Sequence, residues 1–372
     1  MNAPSVAPGT FAIVLHPLRM SDFARKYPVT RWLPAPWVER AFRWVPPRLV
    51  SHITGIRSAT GARAEGWFIG LPLTPEMLRS ADLRFVYHRL IQSGRLAERQ
   101  GARILGLTAF TKIVGDRGMT VAQNLTIPVT TGNSYTAATA VEGALLAAAR
   151  MGIAPRDAHG VVIGATGSIG TACSAILARD VGHLTLVART RTDLEVLASS
   201  LQPTARAAVT VETDVKTAVR AADIILTVSS ATDVLIEPED LRPGAVVCDV
   251  ARPRNVSQRV YERRKDVLVI DGGVIEVPGE VEFGFNFGFP PRTCEACIAE
   301  TIILALEGRY ENFTLGKDVS LPKIEEIAAL ARKHGFRMAG FRRFERAISD
   351  EEVDQIRRTA RRGGALSRAG LS

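Results

Sequence analysis

The sequence predicts an α/β chain built on a doubly wound parallel sheet, and three observations carry that expectation. Short apolar strands alternate with helical segments between residues 160 and 271. The first of those strands runs directly into glycines at 164, 167 and 170, and an alanine-rich helical pattern follows at once. A tight turn needs a residue without Cβ, and an anion approaches backbone N–H groups only where no side chain intrudes. The third glycine lets the helix lie close on the strand while its N-terminal dipole faces the anion. The stretch Gly160-Val-Val-Ile-Gly164-Ala-Thr166-Gly167-Ser168-Ile169-Gly170 therefore reads as the pyrophosphate turn of a Rossmann-type domain. The competing reading is a glycine-rich βα turn that carries no ligand.

At 372 residues the chain is long for one core, so two domains are expected. An apolar fraction of 46% with 23% charged residues fits an ordinary globular protein. No uncharged apolar run approaches the ~18 residues of a membrane span, and Phe11-Ala-Ile-Val-Leu15 is too short for a signal-peptide core. A cytoplasmic location is the expectation. The four cysteines make no secreted disulfide framework, and Cys173 and Cys248 read as small buried hydrophobes. The net charge of +9 favours an acidic partner: nucleic acid, an anionic membrane surface or an acidic carrier protein. A solvated arginine-rich surface is the alternative. Aromatic residues are not interleaved with the arginines, so a nucleic-acid partner is not expected.

Residues 1–135 read as a mixed α/β domain. Trp32-Leu-Pro-Ala-Pro-Trp37 and Arg43-Trp44-Val-Pro-Pro47 suit contact with lipid, cover for an apolar groove, or core packing. Short strands are expected at Ile104-Leu-Gly-Leu107 and Ile113-Val-Gly115. Thr136–Met151 is helical, with Gly152 suited to its end. Within a dinucleotide domain at 136–290, strands are expected at 160–164, 184–188, 207–211, 223–228, 245–250 and 267–271. Helices are expected at 168–180, 192–200 and 215–221. Helices 294–307 and 321–334 make a C-terminal helical segment, 291–340. Residues 341–372 form a basic tail in which Gly363-Gly364 and the last residues fray.

Leu184-Thr-Leu-Val-Ala188 should end over the adenosine ribose, where NAD-preferring sites place an acid. This chain continues Arg189-Thr190-Arg191, and arginines pair with a 2′-phosphate, so NADPH is expected. Val228-Ser229-Ser230 and Asp271-Gly-Gly273 should line the same crevice. Farther on, Pro290-Pro-Arg-Thr-Cys294-Glu-Ala-Cys297-Ile-Ala-Glu300 opens a helix. A cysteine in a first helical turn feels the positive dipole end, which stabilises a thiolate. Thiolates attack thioesters, and a thioacyl group accepts hydride. Three other readings stand beside this one. The two cysteines can form a redox pair, though without a thioredoxin context. They can bind zinc, though no second pair or nearby histidine completes four ligands. Or they are buried and inert.

With both motifs placed, the chain resembles the long-chain acyl-[acyl-carrier-protein] reductases, which form fatty aldehydes. The resemblance covers roughly residues 10 to 340. It rests on Ile53-Thr-Gly with Ser58-Ala-Thr-Gly61, Pro75-Glu-Met-Leu78, Gly106 with Ala109-Phe-Thr111, and Thr130-Thr-Gly-Asn133 with Thr136-Ala137. It continues in Gly164–Gly170, Asp271-Gly-Gly273, Ala296-Cys-Ile-Ala-Glu300, Glu307-Gly308 and Asn312-Phe313. The family's acyl-carrying cysteine precedes an apolar residue, Ala and Glu, a pattern that Cys297 matches and Cys294 does not. The resemblance implies that Cys297 attacks an acyl thioester and that NADPH reduces the thioacyl enzyme to an aldehyde. It further implies an acyl-binding role for residues 1–135, acyl-carrier protein or acyl-coenzyme A as partner, and an aldehyde-consuming enzyme nearby. No metal is implied, and the tryptophan-rich segment leaves a peripheral membrane contact open. Lys112 departs from the family's Ser and Tyr135 from the His of cyanobacterial members, which alters the acid–base or oxyanion arrangement and leaves Lys112 without a firm role. A shikimate-dehydrogenase-like reductase is the nearest rival, on Asn124-Leu-Thr-Ile-Pro128 and Ala188-Arg-Thr190. Val129-Thr-Thr131, however, occupies the place of its catalytic lysine. A glutamyl-tRNA-reductase-like role needs an N-terminal cysteine, and none precedes Cys173. A non-catalytic NADP-sensing or carrier-binding module is the reading from another class.

Overall fold

A computed structural model describes residues 7–19, 22, 28–231, 233–251, 254–317, 319–343 and 346–369. In chain order the strands are β1 Gly9–Leu15, β2 Arg48–Arg57, β3 Arg63–Gly70, β4 Leu105–Leu107 and β5 Val129–Thr130. They continue with β6 His159–Ile163, β7 His183–Val187, β8 Ala208–Glu212, β9 Ile224–Thr227, β10 Val246–Asp249 and β11 Leu268–Asp271. Three short ones follow: β12 Val274–Glu276, β13 Gly279–Glu282 and β14 Thr293–Glu295. The chain divides into two compact units. Met1–Tyr135, Ile275–Asp318 and Glu326–Arg337 make the first; Thr136–Val274, Val319–Glu325 and Met338–Ser372 make the second.

In the first unit the sheet order is β13-β2-β3-β1-β4-β5. β1 runs parallel to β3 and β4, and β4 to β5, while β2 pairs antiparallel with β3 and β13. β1 alternates its side chains between two faces. Ala12 and Val14 join Leu105, Leu107 and Ile69 beneath helix Leu83–Arg99, which contributes Val86, Leu90 and Ala97. That helix starts where the Asp82 carboxylate accepts from the Arg84 and Phe85 N–H groups. The opposite face, with Ile13, receives helix Ala296–Glu307, which is buried from Ala296 to Leu306.

Glycines allow that helix to lie flat on the sheet. A Cβ at Gly9 on β1 would overlap the Ala305 carbonyl. One at Gly106 on β4 would overlap Thr301 Oγ1, and one at Gly132, just past β5, would lie 2.5 Å from Cys297 Cβ. Cys297, Thr301 and Ala305 are one i, i+4, i+8 row of the helix. Three neighbouring strands thus each yield a glycine to one ridge.

The second unit is an all-parallel sheet in the order β11-β10-β9-β6-β7-β8. Its central strands are apolar along most of their length because both faces are covered. Val162, Leu186, Leu226, Cys248 and Ile270 face one core, and Val161, Ile163, Ile225, Val247 and Val269 the other. Counted within the unit, the order is 3-2-1-4-5-6, with a topological switch point between β6 and β9. The α/β doubly wound class expected from the sequence is the observed one.

Three expectations are corrected. Ile113-Val-Gly115 is no strand. A capping box between Thr108 and Thr111 winds Ala109–Lys112 into a 3-10 turn, Ile113 ends it, and Gly115 turns away at φ +61°. Cys294 lies on β14 rather than in a helical turn. The tail beyond 340, expected only as a polar basic run, holds a helix, Asp350–Ala369. Val353 and Ile356 bury into the core of the second unit, and acidic residues occupy the helix's first turn, where the dipole favours them. Three of the tail's arginines are engaged: Arg343 and Arg346 hold Glu352 and stack on Tyr261, and Arg357 pairs with Asp354. The closing residues 370–372 and Phe344-Glu345 of the basic run lie outside the described residues. Among the described residues no helix is long and apolar enough to cross a membrane.

Candidate functional site

The glycine turn of the second unit is built from contacts that forbid side chains. Gly164 has φ +84°, and a Cβ there would lie 2.8 Å from Ser229 Cα; one at Gly170 would overlap the Gly164 carbonyl oxygen. β6 and β9 therefore meet at Gly164 and Val228–Ser229, on either side of the switch point. Gly167 is the N-cap of helix Ser168–Asp180 and offers no side-chain cap, and a Cβ there would meet only the Gly164 carbonyl, at 3.3 Å. Thr166 is exposed beside it, and Ser168 and Ile169 form the first helical turn. An uncapped helix N-terminus under open glycine backbone is the cradle that a pyrophosphate requires. The residues fit a nicotinamide dinucleotide.

β7 ends at Val187, and Arg189, Thr190 and Arg191 beyond it are exposed, with Thr190 as the N-cap of helix Arg191–Leu201. Arg191 lies 3.8 Å from Glu195. Arg189 makes no ion pair among the described residues. Asp271 is buried at the end of β11 and bound by Arg254, and Gly272 packs against Val250.

The first unit holds a separate constellation around Cys297, the second residue of helix Ala296–Glu307. The Cys297 thiol donates to Glu295 Oε2 (3.8 Å), and Ala109, which acts on the sulfur through its backbone, is one of few non-glycine residues at positive φ, +46°. Holding an alanine there costs of order 1 kcal/mol or more, a strain that the Thr108–Thr111 capping box imposes beside the thiol. Lys112 closes the same 3-10 turn and is buried. Glu300, one turn beyond Cys297 and fully buried, accepts from Thr130 Oγ1 (2.6 Å), Thr314 Oγ1 (2.9 Å) and the Tyr135 N–H (2.9 Å). Asn133 Oδ1, next to Gly132, is buried without a hydrogen-bond partner.

The electrostatics correct the expectation of a stabilised thiolate. Burial pushes the Cys297 thiol up to about 11; Lys112 and the Ala109 N–H oppose the rise, and Glu295 and Glu300 add to it. Desolvation outweighs the helix terminus. Cys294 is raised well above the usual thiol value, first by its own burial, and burial raises Cys173 to about 12. Burial also raises the Glu300 carboxyl, against its three hydrogen bonds and Lys112. All four cysteines are unbridged, and no cluster of metal-ligating side chains occurs among the described residues.

Sequence reasoning missed three members of this site: Lys112 as a neighbour of the sulfur, the Glu300 network, and Gly132 as the residue that Cys297 rests on. The available signal was the i, i+3 spacing of Cys297 and Glu300, which puts both on one helical face. A second polar row was also unforeseen: Ser58 Oγ meets His334 Nδ1 (2.8 Å), and His334 Nε2 meets Glu307 (2.8 Å). The Ser58 oxygen is buried and already accepts from the Thr60 N–H (3.0 Å), so this row clamps the β2–β3 hairpin instead of presenting a nucleophile.

Comparison with known proteins agrees with this division. The shikimate / quinate 5-dehydrogenase family profile matches residues 146–272. Aminotransferase PigE of a Serratia species is 35% identical over 308 residues, 82% of this chain and 36% of that protein, so the chain spans about a third of that relative. Long-chain acyl-[acyl-carrier-protein] reductase of Synechococcus elongatus is 30% identical over 306 residues, 78% of this chain and 87% of that enzyme. Shikimate 5-dehydrogenase of Listeria monocytogenes superposes with a TM-score of 0.39 at 10% identity, over 88% of this chain and 99% of that one.

From its thiol chemistry one outcome follows directly. Iodoacetamide should alkylate Cys297 of the ligand-free protein about tenfold faster per pH unit from about pH 8 to 10, because the thiolate is still scarce there. A rate that levels off below about pH 8 contradicts the buried, raised thiol.

The strand order and glycine turn make the chain an NAD(P)-dependent oxidoreductase, and its match over most of the Synechococcus elongatus enzyme places it in the long-chain acyl-[acyl-carrier-protein] reductase family.

Proposed function

We propose that the protein reduces a long-chain acyl thioester, borne by acyl-carrier protein or coenzyme A, to a fatty aldehyde through an acyl group held on Cys297. The setting of Cys297 carries this reading: a buried thiol at a helix start, hydrogen-bonded to the Glu295 carboxylate and influenced by the strained turn Ala109–Lys112. NADPH, when bound, supplies the hydride. Cys297 contributes the nucleophile, and the Ala109 N–H steadies its sulfur as charge develops. Glu300 joins β5, the Thr314 segment and the start of helix Asn133–Met151, which fixes Gly132 against the cysteine. Asn133 Oδ1 offers a dry acceptor for an amide N–H of the carrier arm. The shikimate-type match spans only the dinucleotide unit and supports a cofactor without selecting a substrate.

Replacement of Cys297 by Ala should lower NADPH oxidation and aldehyde release with an acyl-carrier thioester by about 10³-fold or more. Retained activity, or the same loss from Cys294→Ala alone, overturns the assignment. For the nucleotide, the exposed arginines after β7 and the lack of an acid among Arg189-Thr190-Arg191 favour NADPH. A double Arg189→Ala/Arg191→Ala variant should bind NADPH about 10–100-fold more weakly and NADH as before. Equal weakening for both nucleotides removes the 2′-phosphate role.

A peripheral lipid contact is proposed for the tryptophan-rich segment. Trp32, Trp37 and Trp44 are 86%, 71% and 74% exposed, and exposed Arg40, Arg43 and Arg48 accompany them. Trp37 and Trp44 share one face of helix Ala35–Phe42 and its continuation, while Val38 is buried on the other. Vesicles containing anionic lipid should sediment the protein and shift its tryptophan emission to the blue, and Trp37→Ala/Trp44→Ala should abolish both. Absence of binding at low salt contradicts the contact.

A further inference from the structure

We propose that Glu295 is the general base of the site: its carboxylate takes the Cys297 proton as the sulfur attacks the thioester, then hands that proton to the departing carrier sulfur. This rests on the thioester reading above and adds the proton acceptor that a protonated thiol requires. Glu295 ends β14 and is the N-cap of helix Ala296–Glu307. A carboxylate in that position ordinarily accepts from the backbone N–H of the second or third helical residue. Here it makes no such cap bond. Its Oε2 instead accepts from the thiol of the second helical residue, Cys297, at 3.8 Å. Catalytic hydrogen bonds are commonly long before substrate arrives.

Burial makes a base necessary. Cys297 is buried and its thiol raised to about 11, so near neutral pH the sulfur still holds its proton when the thioester arrives. Two carboxylates act on that sulfur, and only one of them has the geometry of a base. Glu300 is fully buried, with its oxygens committed to Thr130, Thr314 and the Tyr135 N–H. Glu295 is only half-buried, which leaves it a route for proton exchange with water, and it already holds the S–H. In the acylation step the S–H bond breaks toward Glu295 Oε2 as a bond forms between the sulfur and the thioester carbon. The carbonyl π pair moves to oxygen. As the C=O bond reforms, the bond from carbon to the carrier sulfur breaks, its electron pair stays on that sulfur, and the sulfur takes the proton from Glu295. The carboxylate is restored before hydride transfer, and nothing is oxidised or reduced in this step.

Glu295→Gln and Glu295→Asp test the base by two readouts that should move apart. The first is the rate at which Cys297 takes up the acyl group from a long-chain acyl-carrier thioester without NADPH, read by acid quench and peptide mass spectrometry. It should fall about 10²-fold or more in Glu295→Gln, whose amide accepts no proton, and by less in Glu295→Asp. The second is alkylation of Cys297 by iodoacetamide at about pH 9, which reads the thiolate already present. The Glu295 charge holds the thiol up, so Glu295→Gln should alkylate at the wild-type rate or faster. A purely structural role slows both reactions together, and a purely electrostatic one speeds both. Either pattern overturns the proposal, as does wild-type acylation in Glu295→Gln. If Glu295→Gln melts well below the wild type, Glu295→Asp decides: slower acylation with undiminished alkylation supports the base, and joint slowing or unchanged acylation overturns it. A wild type that takes up no acyl group overturns the thioester reading and this role with it, whereas the other outcomes, in a wild type that acylates, bear on Glu295 alone.

Discussion

Close contact between helix Ala296–Glu307 and the sheet of the first unit is the constraint on which the rest of the site depends. Gly9, Gly106 and Gly132 lie against Ala305, Thr301 and Cys297, and none tolerates a Cβ in that position. The helix consequently has almost no exposed face, and the nucleophile at its start is dry. Dryness decides the chemistry. It pushes the thiol up to about 11, and it strengthens each local charge that acts on the sulfur. The helix terminus, the Ala109 N–H and Lys112 work against that penalty without cancelling it.

The site therefore stores free energy instead of minimising it. Ala109 is held at a positive φ, Asn133 Oδ1 lacks a donor, and Glu300 is buried among hydroxyls. Each of these is unfavourable in a resting protein and typical of a site that becomes complementary only when ligand arrives. By contrast the dinucleotide unit is close to ideal: apolar central strands with both faces covered, and glycines at 164 and 170 where strand, turn and helix backbones meet. Its cradle needs little strain, because backbone N–H groups and a helix dipole already suit a phosphate.

That contrast explains what was legible in the sequence. Periodicity and the Gly164–Gly170 turn located the second unit's strands to within a residue or two, and helix Ser168–Asp180 was placed to the residue, because local pattern and tertiary demand coincide there. The Cys297 site was legible as a list of short stretches, such as Gly106, Ala109-Phe-Thr111 and Thr130-Thr-Gly-Asn133, without the reason for their association. The reason is three-dimensional: each touches the same helix. The sign of the thiol shift was misread because a helix terminus is visible in a sequence, whereas burial by distant glycines is not. The tail was misread for a related cause, since its arginine-rich composition hid Val353 and Ile356, which reach the core at helical spacing.

The central claim is that Cys297 carries the acyl group, and one measurement tests it most directly. The purified protein would be mixed with a long-chain acyl-carrier thioester in the absence of NADPH, quenched in acid, digested and mapped by mass spectrometry. The account predicts an acyl group on the Cys297 peptide that is discharged as aldehyde when NADPH is added before the quench. An acyl group on Cys294, or release of aldehyde with no acyl-enzyme ever formed, would contradict it.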